Sequence, residues 1–497
     1  MFIKRLFCFF SAVTLVCPFM VLAQKTSKSS VPSSLQSDAP VSRMTERHPF
    51  MATLIQTYNT NPTLKAALRA QYVKAEALPS AQAGFRPNLT FEASTQRGFQ
   101  DNQNRQPTRN RQEFTRYNSI TTSHSGRLTL SQSLFAGGGT IAAINAAEAQ
   151  IMALYSDFAR IEQETLLASV QSYLTLWLRR SILSLNKKNV SVKEKTLEQA
   201  RARLEVGELT LTDIAQAESE LALAQSRKIV AESDVKQAEE NYHRVVGETP
   251  PHNLPLPQEV SHFFELPADK VSFIKYARNN NPNTVSVRFL ELAAKHNIDV
   301  AKAQLLPSLD LSGSVARNLV SDESREATNS RTNSGSIGLT LRVPLYQGGK
   351  NWSGFRGARQ SATQAKLNVR DTERKVNEEA VQAWEKWKAA KNQIHHLTIQ
   401  VDAARLSLEG TRQESLVGER TLLEVLEAEN KVLEAETQLA QAQSDHLVQS
   451  YTLLSSLGHL TATALELPVE PYPLKTYVDT LRSTWIGTVS DPELQKG

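Results

Sequence analysis

The sequence predicts an α+β membrane protein built from two tandem structural repeats, each holding a β-hairpin and a pair of long helices. Three observations support this fold class. Similar segments occur twice in the same order, which indicates an internal repeat. Some of them alternate apolar and polar residues, as half-buried strands do. Others run for tens of residues without proline, as long helices do.

The first residues have the pattern of a secretory signal peptide. A basic pair, Lys4 and Arg5, precedes an apolar core that ends in "VLA" at 21–23, a small-residue cleavage sequence. We therefore expect residues 1–23 to be removed and the protein to be exported. Both cysteines, Cys8 and Cys17, lie in this leader, so the mature chain is expected to have no disulfide or thiol chemistry.

Composition and charge argue against two classes of protein, nucleic-acid-binding proteins and helical membrane proteins. Charged residues make up 22% of the chain and hydrophobic residues 40%, and the formal net charge is +5. This charge is too balanced to favour nucleic acid, and we expect no nucleic-acid partner. After the leader, no apolar stretch is long enough for a membrane helix. If the chain crosses a membrane, it must therefore do so as a β-barrel.

The chain repeats itself at nearly constant spacing. Two pairs of stretches lie 220 residues apart: "NTNPTLKAALRAQ" (59–71) with "NNNPNTVSVRFLE" (279–291), and "RPNLTFEAS" (86–94) with "LPSLDLSGS" (306–314). Further on, matching glycines such as Gly207 and Gly418 lie 211 residues apart. The second copy thus loses nine residues between Ser314 and Gly338. Length varies most easily at exposed loops, so a loop is expected there.

Each repeat contains one predicted β-hairpin, at about 87–135 and about 307–346. We expect polar loops at about 100–119 and 319–336 to join the strands and to face the cell exterior. A soluble hairpin packed on a core would show the same alternation, and only the long helices beside the strands argue against it. The alternating apolar residues are Leu89, Phe91, Ala93, Leu128, Leu130, Leu134, Leu309, Leu311, Leu339, Leu341, Val343 and Leu345.

Two glycine pairs, Gly137–Gly138 and Gly348–Gly349, are the predicted joints between a strand and a long helix. The stretches that follow are rich in Ala, Leu, Glu, Gln, Lys and Arg, which are good helix formers. Residues 140–206 would form a helix about 100 Å long at ~1.5 Å per residue. Gly207 and Gly418 are the predicted turns at which the helices reverse direction.

The predicted division of the chain has six parts: 1–23 signal peptide, 24–47 flexible N-terminal segment, 48–249 first repeat, 250–267 proline-rich connector, 268–467 second repeat, and 468–497 C-terminal tail. Two hairpins give four strands, whereas a closed membrane barrel needs at least about 8. Several copies of the chain are therefore expected to share one barrel.

Four stretches carry a family resemblance: "SLFAGGGT" (133–140), "VGELTLTDIAQAE" (206–218), "GLTLRVPLYQGGK" (338–350) and "VGERTLLEVLEAENKVLEAE" (417–436). They resemble the TolC family of outer-membrane efflux and type I secretion channels, and the similarity extends from 48 to about 467. The resemblance implies a homotrimer whose 12-stranded outer-membrane β-barrel continues into a periplasmic α-helical barrel. The C-terminal tail is then expected to pack on the outside of this tunnel.

The resemblance also implies a function and a set of partners. Such a channel would passively conduct drugs, small molecules or proteins from an inner-membrane pump to the exterior. The expected partners are a periplasmic adaptor (membrane fusion) protein, an inner-membrane pump of the RND, ABC or MFS type, and outer-membrane lipid. The protein is expected in the outer membrane with a large periplasmic portion. The pump would supply the energy, because this sequence contains no phosphate-binding loop.

Two carboxylates are the predicted acidic ring of a gate. Glu424 and Glu427 are three residues apart and therefore on one face of a helix. By themselves they are typical of solvent-facing glutamates. The family has acidic residues in a matching "DVLDA" stretch that line the closed tunnel mouth, and this chain has "EVLEA" at 424–428. A trimer would place six carboxylates around one axis.

The resemblance further assigns a gate lock at the same turns. Arg420 matches the family arginine that ties the inner helix pair to its neighbour, and Thr212 and Asp213 match the residues that receive it. Ser415 departs from the pattern, because a family member has a tyrosine there, so one expected link is missing.

No catalytic, cofactor or metal site is predicted, and we expect no enzymatic activity. His395 and His396 have no second ligand at zinc-like spacing, and "NKKNVSVKEK" (186–195) is interpreted as a solvated helix surface. The alternative function is a trimeric structural or adhesive surface protein anchored by a barrel. Such a fibre should show strict heptads and one terminal barrel segment, whereas this chain has two hairpins within its repeats.

Overall fold

A computed structural model describes residues 49–108, 111–257, 267, 269–322 and 329–487. The predicted signal peptide and N-terminal segment lie outside the described residues, as does part of the connector. Within these ranges the chain forms ten α-helices: α1 (Pro49–Thr60), α2 (Pro62–Ala75), α3 (Ala77–Gln82), α4 (Gly139–Glu205), α5 (Leu211–Val246), α6 (Lys270–Asn280), α7 (Pro282–Ala303), α8 (Lys350–Leu416), α9 (Leu422–Ser456) and α10 (Leu474–Ser483). In the described part of the chain, no helix is both long and apolar enough to span a membrane.

The strands form one antiparallel sheet in the order β1-β2-β3-β4. The strands are β1 (Asn88–Thr108), β2 (Arg111–Ala136), β3 (Ser308–Asp322) and β4 (Asn329–Arg342). Strands β2 and β3 pair from Thr121 with Asp322 to Ala136 with Ser308, so the sheet runs from one repeat into the other. The two repeats are therefore not separate domains, because each contributes one half of the same sheet.

The strands extend well into the segments predicted to be polar loops, and that part of the prediction was wrong. Strand β1 pairs with β2 as far as Thr108 with Arg111, inside the predicted loop 100–119. In the second repeat, β3 continues to Asp322 and β4 begins at Asn329. Backbone pairing in a ladder does not require apolar side chains, so a strand can continue through polar residues.

A glycine pair lies at each joint between strand and helix. Gly137 and Gly138 have φ of +60° and +80°, and the corresponding pair Gly348 and Gly349 has +59° and +80°. These left-handed conformations favour glycine. A Cβ on Gly137 would also lie only 2.7 Å from the carbonyl oxygen of Ala303. The joint of the first repeat thus packs directly on the end of helix α7.

Two helices of 67 residues, α4 and α8, form the long axis of the molecule. Each is about 100 Å long at ~1.5 Å per residue. Helix α5 returns along α4, helix α9 returns along α8, and α4 also packs against α7 and α9. The two repeats therefore contact each other along the helices as well as in the sheet.

Buried residues of the helices recur every seven positions, which is the pattern of coiled coils. In α5 they are Ala217, Ala224, Ala231, Ala238 and Val245. In α8 they are Ala362, Val369, Val376, Ala383, Ala390 and Leu397. Small side chains allow close helix approach. The companion positions four residues further on are interrupted, by Lys228 in α5 and by Lys366 in α8, so these heptads are not strict.

The two "Asn-Pro" helix starts occupy equivalent places. Asn61 caps α2 by accepting from the Thr63 amide at 2.9 Å, and its amide donates to the carbonyl of Val245 at 2.8 Å. Asn281 caps α7 in the same way and donates to the carbonyl of Ser456 at 3.1 Å. Each asparagine thus closes the end of a returning helix while starting a new one.

The C-terminal tail packs on the main core. Helix α10 buries Leu474, Val478 and Leu481 in the cluster that includes α1, α2 and α4. Before it, Tyr472 donates to the carbonyl of Tyr58 at 2.7 Å, and the two rings lie 4.8 Å apart. The tail is therefore fixed beside the first repeat, near the sheet.

Candidate gate at the helix turns

Two tight turns close the long helix pairs. In the first, Gly207 has φ of +82° and donates to the carbonyl of Leu204 at 2.9 Å. In the second, Gly418 has φ of +83° and donates to the carbonyl of Ser415 at 3.3 Å. No atom crowds a Cβ at either glycine, so it is the backbone conformation that favours glycine. The turns lie at the end of the molecule opposite the sheet.

Each turn is followed by a capping box, which fixes the start of the returning helix. The Thr210 hydroxyl accepts from the Asp213 amide at 3.3 Å, and the Asp213 carboxylate accepts from the Thr210 amide at 2.9 Å. Thr421 and Glu424 repeat this exchange at 3.3 and 2.8 Å. Two residues assigned to the gate from sequence, Asp213 and Glu424, therefore also hold the fold of their own turns.

Arg420 lies between two carboxylates of its own turn. It donates to Glu414 at 2.9 Å and to Glu424 at 2.7 Å. These contacts raise the pKa of Arg420. The Thr421 amide, followed by Arg420, lowers the pKa of Glu424 from 4.5 to about 2. Hydrogen bonds to the charged form stabilise it, so Glu424 stays ionised at the tip.

The predicted lock between Arg420, Thr212 and Asp213 does not form within one chain. Thr212 is exposed, and the Thr210 amide and hydroxyl lower the pKa of Asp213. The described hydrogen bonds and ion pairs of Arg420 go to Glu414 and Glu424. A lock of this kind therefore stays a prediction for two neighbouring copies.

The remaining predicted residues at the tip occupy different surroundings. Glu427 is exposed one turn along α9 from Glu424. Ser415, the position that departs from the family pattern, is buried, and its carbonyl accepts from Arg203 at 3.4 Å. Arg203 thus reaches from the first repeat to the second at this point. His395 and His396 are exposed on α8, outside the tip.

A buried charge cluster lies between the long helices, on the sheet side of the two turns, and was not predicted from the sequence. Lys193 is 1% exposed and its ammonium lies 3.2 Å from Glu429 and 3.6 Å from Glu220. Glu429 also accepts from Arg412 at 2.9 Å and from Thr196 at 3.2 Å. These five residues come from α4, α5, α8 and α9. One polar cluster therefore joins all four long helices, about 20 Å from the first turn at ~1.5 Å per residue.

Lys193 belongs to the segment interpreted as a solvated surface, and for this residue the interpretation was wrong. Its neighbours Lys187, Lys188 and Lys195 are exposed, as predicted. Asn186, Asn189 and Lys193 lie three to four residues apart on a buried face. Their helical spacing was the available signal, but polar side chains at those positions concealed it.

The fold and the tip together define a class of protein, an outer-membrane channel subunit with long periplasmic helices. A model of the outer membrane efflux protein family matches residues 54–248 and 273–459. The chain belongs to this family, which confirms the resemblance drawn from the sequence motifs. It is an outer-membrane protein with a periplasmic portion, as predicted.

Individual relatives agree with this assignment. The outer membrane efflux protein BepC of Brucella suis biovar 1 is 30% identical over 434 residues, 87% of this chain and 90% of its own. The alkaline protease secretion protein AprF of Pseudomonas aeruginosa is 25% identical over 63% of this chain and 66% of its own. Among solved structures, the Campylobacter jejuni outer membrane channel CmeC matches with a TM-score of 0.69 at 16% identity, covering 88% of this chain and 89% of that one. That likeness confirms the predicted fold.

Proposed function

We propose that three copies of this chain form the outer-membrane exit duct of a tripartite efflux or type I secretion system. The duct would conduct its cargo passively and carry out no catalytic step. The observation that carries this proposal is the open four-stranded sheet attached to helices of 67 residues. An outer-membrane sheet cannot leave edge strands unpaired in lipid, because each unpaired backbone group costs several kcal/mol. Pairing of β1 with β4 of a neighbour would close a barrel of twelve strands.

The apolar face of the sheet supports contact with outer-membrane lipid. Leu89 and Phe91 are 63% and 73% exposed on β1, and Leu339 and Leu341 are similarly exposed on β4. They lie at alternate positions, so one face of each strand is apolar. We propose that this face meets lipid and that the opposite polar face lines the channel.

The long helices would then form a tunnel with its narrow end at the turns. The proposed partners at this end are a periplasmic adaptor protein and an inner-membrane pump of the RND, ABC or MFS type. Membership of an efflux family supports the general arrangement. BepC is named for efflux and AprF for protease secretion, so the relatives leave open whether this chain exports small molecules or proteins.

We also propose that the tip is the gate. In a closed trimer, Arg420 would turn from Glu414 toward Thr212 and Asp213 of the adjacent copy. Glu424 and Glu427 would form a carboxylate ring around the axis. The support is local: Arg420 and Glu427 are both exposed, and the tips are held rigid by their capping boxes.

The experiment that tests this function is single-channel recording from the purified protein in a planar bilayer, combined with mass measurement in mild detergent. We expect a trimer and discrete conductance steps. An adhesive trimer would give the same mass without a conducting path. A folded, monodisperse monomer that retains its β signal would contradict the shared barrel.

A further inference from the structure

The last described residues of the C-terminal tail include two large apolar side chains that are exposed. Helix α10 has already buried its apolar face, formed by Leu474, Val478 and Leu481, against its own chain. The residues that follow are Trp485, which is 65% exposed, and Ile486, which is 94% exposed. A lone exposed apolar residue needs no explanation, but a tryptophan and an isoleucine in sequence, held at one place, do.

Arg86 holds this place at the base of the sheet. Its guanidinium donates to the carbonyl of Thr484 at 3.0 Å and lies 4.9 Å from the ring centre of Trp485. Arg86 is two residues before Asn88, where β1 begins. The Phe85 carbonyl accepts from Gln132 of β2 at 3.2 Å. Trp485 is therefore fixed at the level where the sheet gives way to the helices.

Exposed apolar side chains also follow Arg86 in sequence, toward the sheet. Phe85 is 46% exposed, and beyond it β1 presents Leu89 and Phe91. An indole ring with an arginine beside it is typical of the boundary between hydrocarbon and headgroups, where the ring packs on acyl carbons and the cation meets phosphate.

We propose that Trp485 and Ile486 contact phospholipid in the periplasmic leaflet of the outer membrane, with Arg86 facing the headgroup phosphates. The tail would thus fix the depth at which the sheet sits in the bilayer. This inference rests on the proposed barrel but adds a lipid contact outside the strands.

Emission from Trp485 can be separated from that of the other tryptophans. The chain has five tryptophans, and the difference between the spectra of the unaltered protein and Trp485→Phe isolates this one. The full-length processed protein is reconstituted in phosphatidylethanolamine and phosphatidylglycerol vesicles, with and without bromine on acyl carbons near the headgroup. We expect brominated lipid to quench most of the Trp485 emission. Ile486→Glu, a change at an exposed position, should weaken that quenching.

Trp387→Phe is the matched control. Trp387 lies on α8 beside His446, about 55 Å from the start of that helix at ~1.5 Å per residue. Its difference spectrum should be the same in both kinds of vesicle. Conductance is recorded from the same preparations. Unquenched Trp485 emission in a conducting preparation overturns the lipid contact and leaves the channel proposal intact. Emission that is already blue-shifted in detergent trimers and insensitive to bromine would assign the surface to a neighbouring copy instead.

Discussion

At the scale of single residues, the proposed gate would place structural and functional demands on the same side chains. Glu424 is both a predicted ring carboxylate and the third helical residue (N3) of a capping box. Arg420 is held by two carboxylates of its own chain, yet it is exposed. Replacing Glu424 by alanine would therefore mix a fold effect with a gate effect. Substitutions that keep the cap separate the two.

Replacing Arg420 by serine should open the gate. The change removes the cation proposed to reach Asp213 of the next copy, and it also leaves Glu414 and Glu424 without their counter-ion. We expect higher single-channel conductance and greater entry of bulky antibiotics into cells. Arg201→Ser is the control, since Arg201 pairs with Glu218 at 2.7 Å on an exposed face. Equal conductance in the two variants would mean that the gate lies elsewhere.

Removing the charges of Glu424 and Glu427 should lower cation preference, because a ring of carboxylates attracts cations. The double variant with glutamine at both positions keeps the capping box, since glutamine serves at its third helical position. Reversal potentials in a salt gradient measure the preference. An unchanged reversal potential would exclude both residues from the ion path.

The lowered pKa of Glu424 gives this prediction a pH dependence. Its folded pKa of about 2 lies below the ordinary 4.5, so its stabilising contribution is complete above pH 4.5 and is lost as pH falls toward 2. In the Glu427→Gln variant, where Glu424 is the remaining ring carboxylate, cation preference at pH 4.5 should match that at pH 7. A clear decrease at pH 4.5 would show that Glu424 is not held in its ionised form.

Two buried tyrosines should respond differently to loss of their hydroxyl groups. The Tyr173 hydroxyl donates to the carbonyl of Pro255 at 2.8 Å, whereas the Tyr451 hydroxyl has no hydrogen-bond partner among the described residues. Tyr173→Phe should lower the free energy of unfolding by about 1 kcal/mol. Tyr451→Phe should leave it unchanged or raise it. Thermal unfolding at pH 7 compares them.

The buried hydroxyl of Tyr451 also affects stability at alkaline pH. Burial raises the pKa of Tyr451 above its ordinary value of 10. The unfolded chain therefore loses this proton first, and stability falls as pH rises above 10. Tyr451→Phe should lose less stability than the unaltered protein between pH 10 and higher values. An identical decrease would show that other groups determine alkaline unfolding.

At the scale of elements, the sequence predicted the helix starts and the strand–helix joints, whose backbone conformations require particular residue types. Helices α2 and α7 each begin at a proline that follows a capping asparagine, and a glycine pair precedes α4 and α8. Few other residues suit these backbone conformations. Strand ends were misplaced, since polarity reports exposure to water and not backbone pairing. The charge cluster was missed because Lys193 meets Glu429 through packing of helices far apart in sequence. The predicted lock would join two neighbouring copies, and the contacts within a single chain do not test it.

The buried charge cluster should make the four helices depend on one lysine. Lys193→Met removes one of the two cations on the buried Glu429 and leaves Arg412, so the loss should not exceed the ~3–5 kcal/mol of a fully broken buried pair. Thermal unfolding of the detergent-solubilised protein should fall accordingly. Lys188→Met, at an exposed position of the same helix, should change little. Adding Glu429→Gln to Lys193→Met should restore part of the loss, because the buried carboxylate that lost its lysine is then replaced by a neutral group. If the double variant is less stable than the single one, the cluster stabilises through hydrogen bonds and not through charge balance.

At the scale of the whole molecule, the sheet is much longer than a bilayer is thick. Strand β1 has 21 residues, which extend about 70 Å at ~3.3 Å per residue. A tilted strand needs only about 9–11 residues to cross the hydrocarbon core. The apolar alternation lies near the helix end of the strand, at Leu89 and Phe91, and the polar residues lie toward Thr108. In the proposed barrel, the membrane would surround the part of the sheet nearest the helices, and the polar ends of β1 and β2 would project beyond it.

An epitope tag inserted at Arg109 should accordingly be reached by antibody on intact cells. Arg109 itself lies outside the described residues, but the strands that end at Thr108 and begin at Arg111 flank it. A tag after Glu208, in the turn between α4 and α5, is the matched control and should be reached only after the outer membrane is broken. The two sites lie at opposite ends of the same chain, so the pair reports orientation independently of expression level. If the tag at Arg109 needs a broken membrane and the one after Glu208 does not, the molecule is inverted, and the turns proposed as a periplasmic gate would face the exterior.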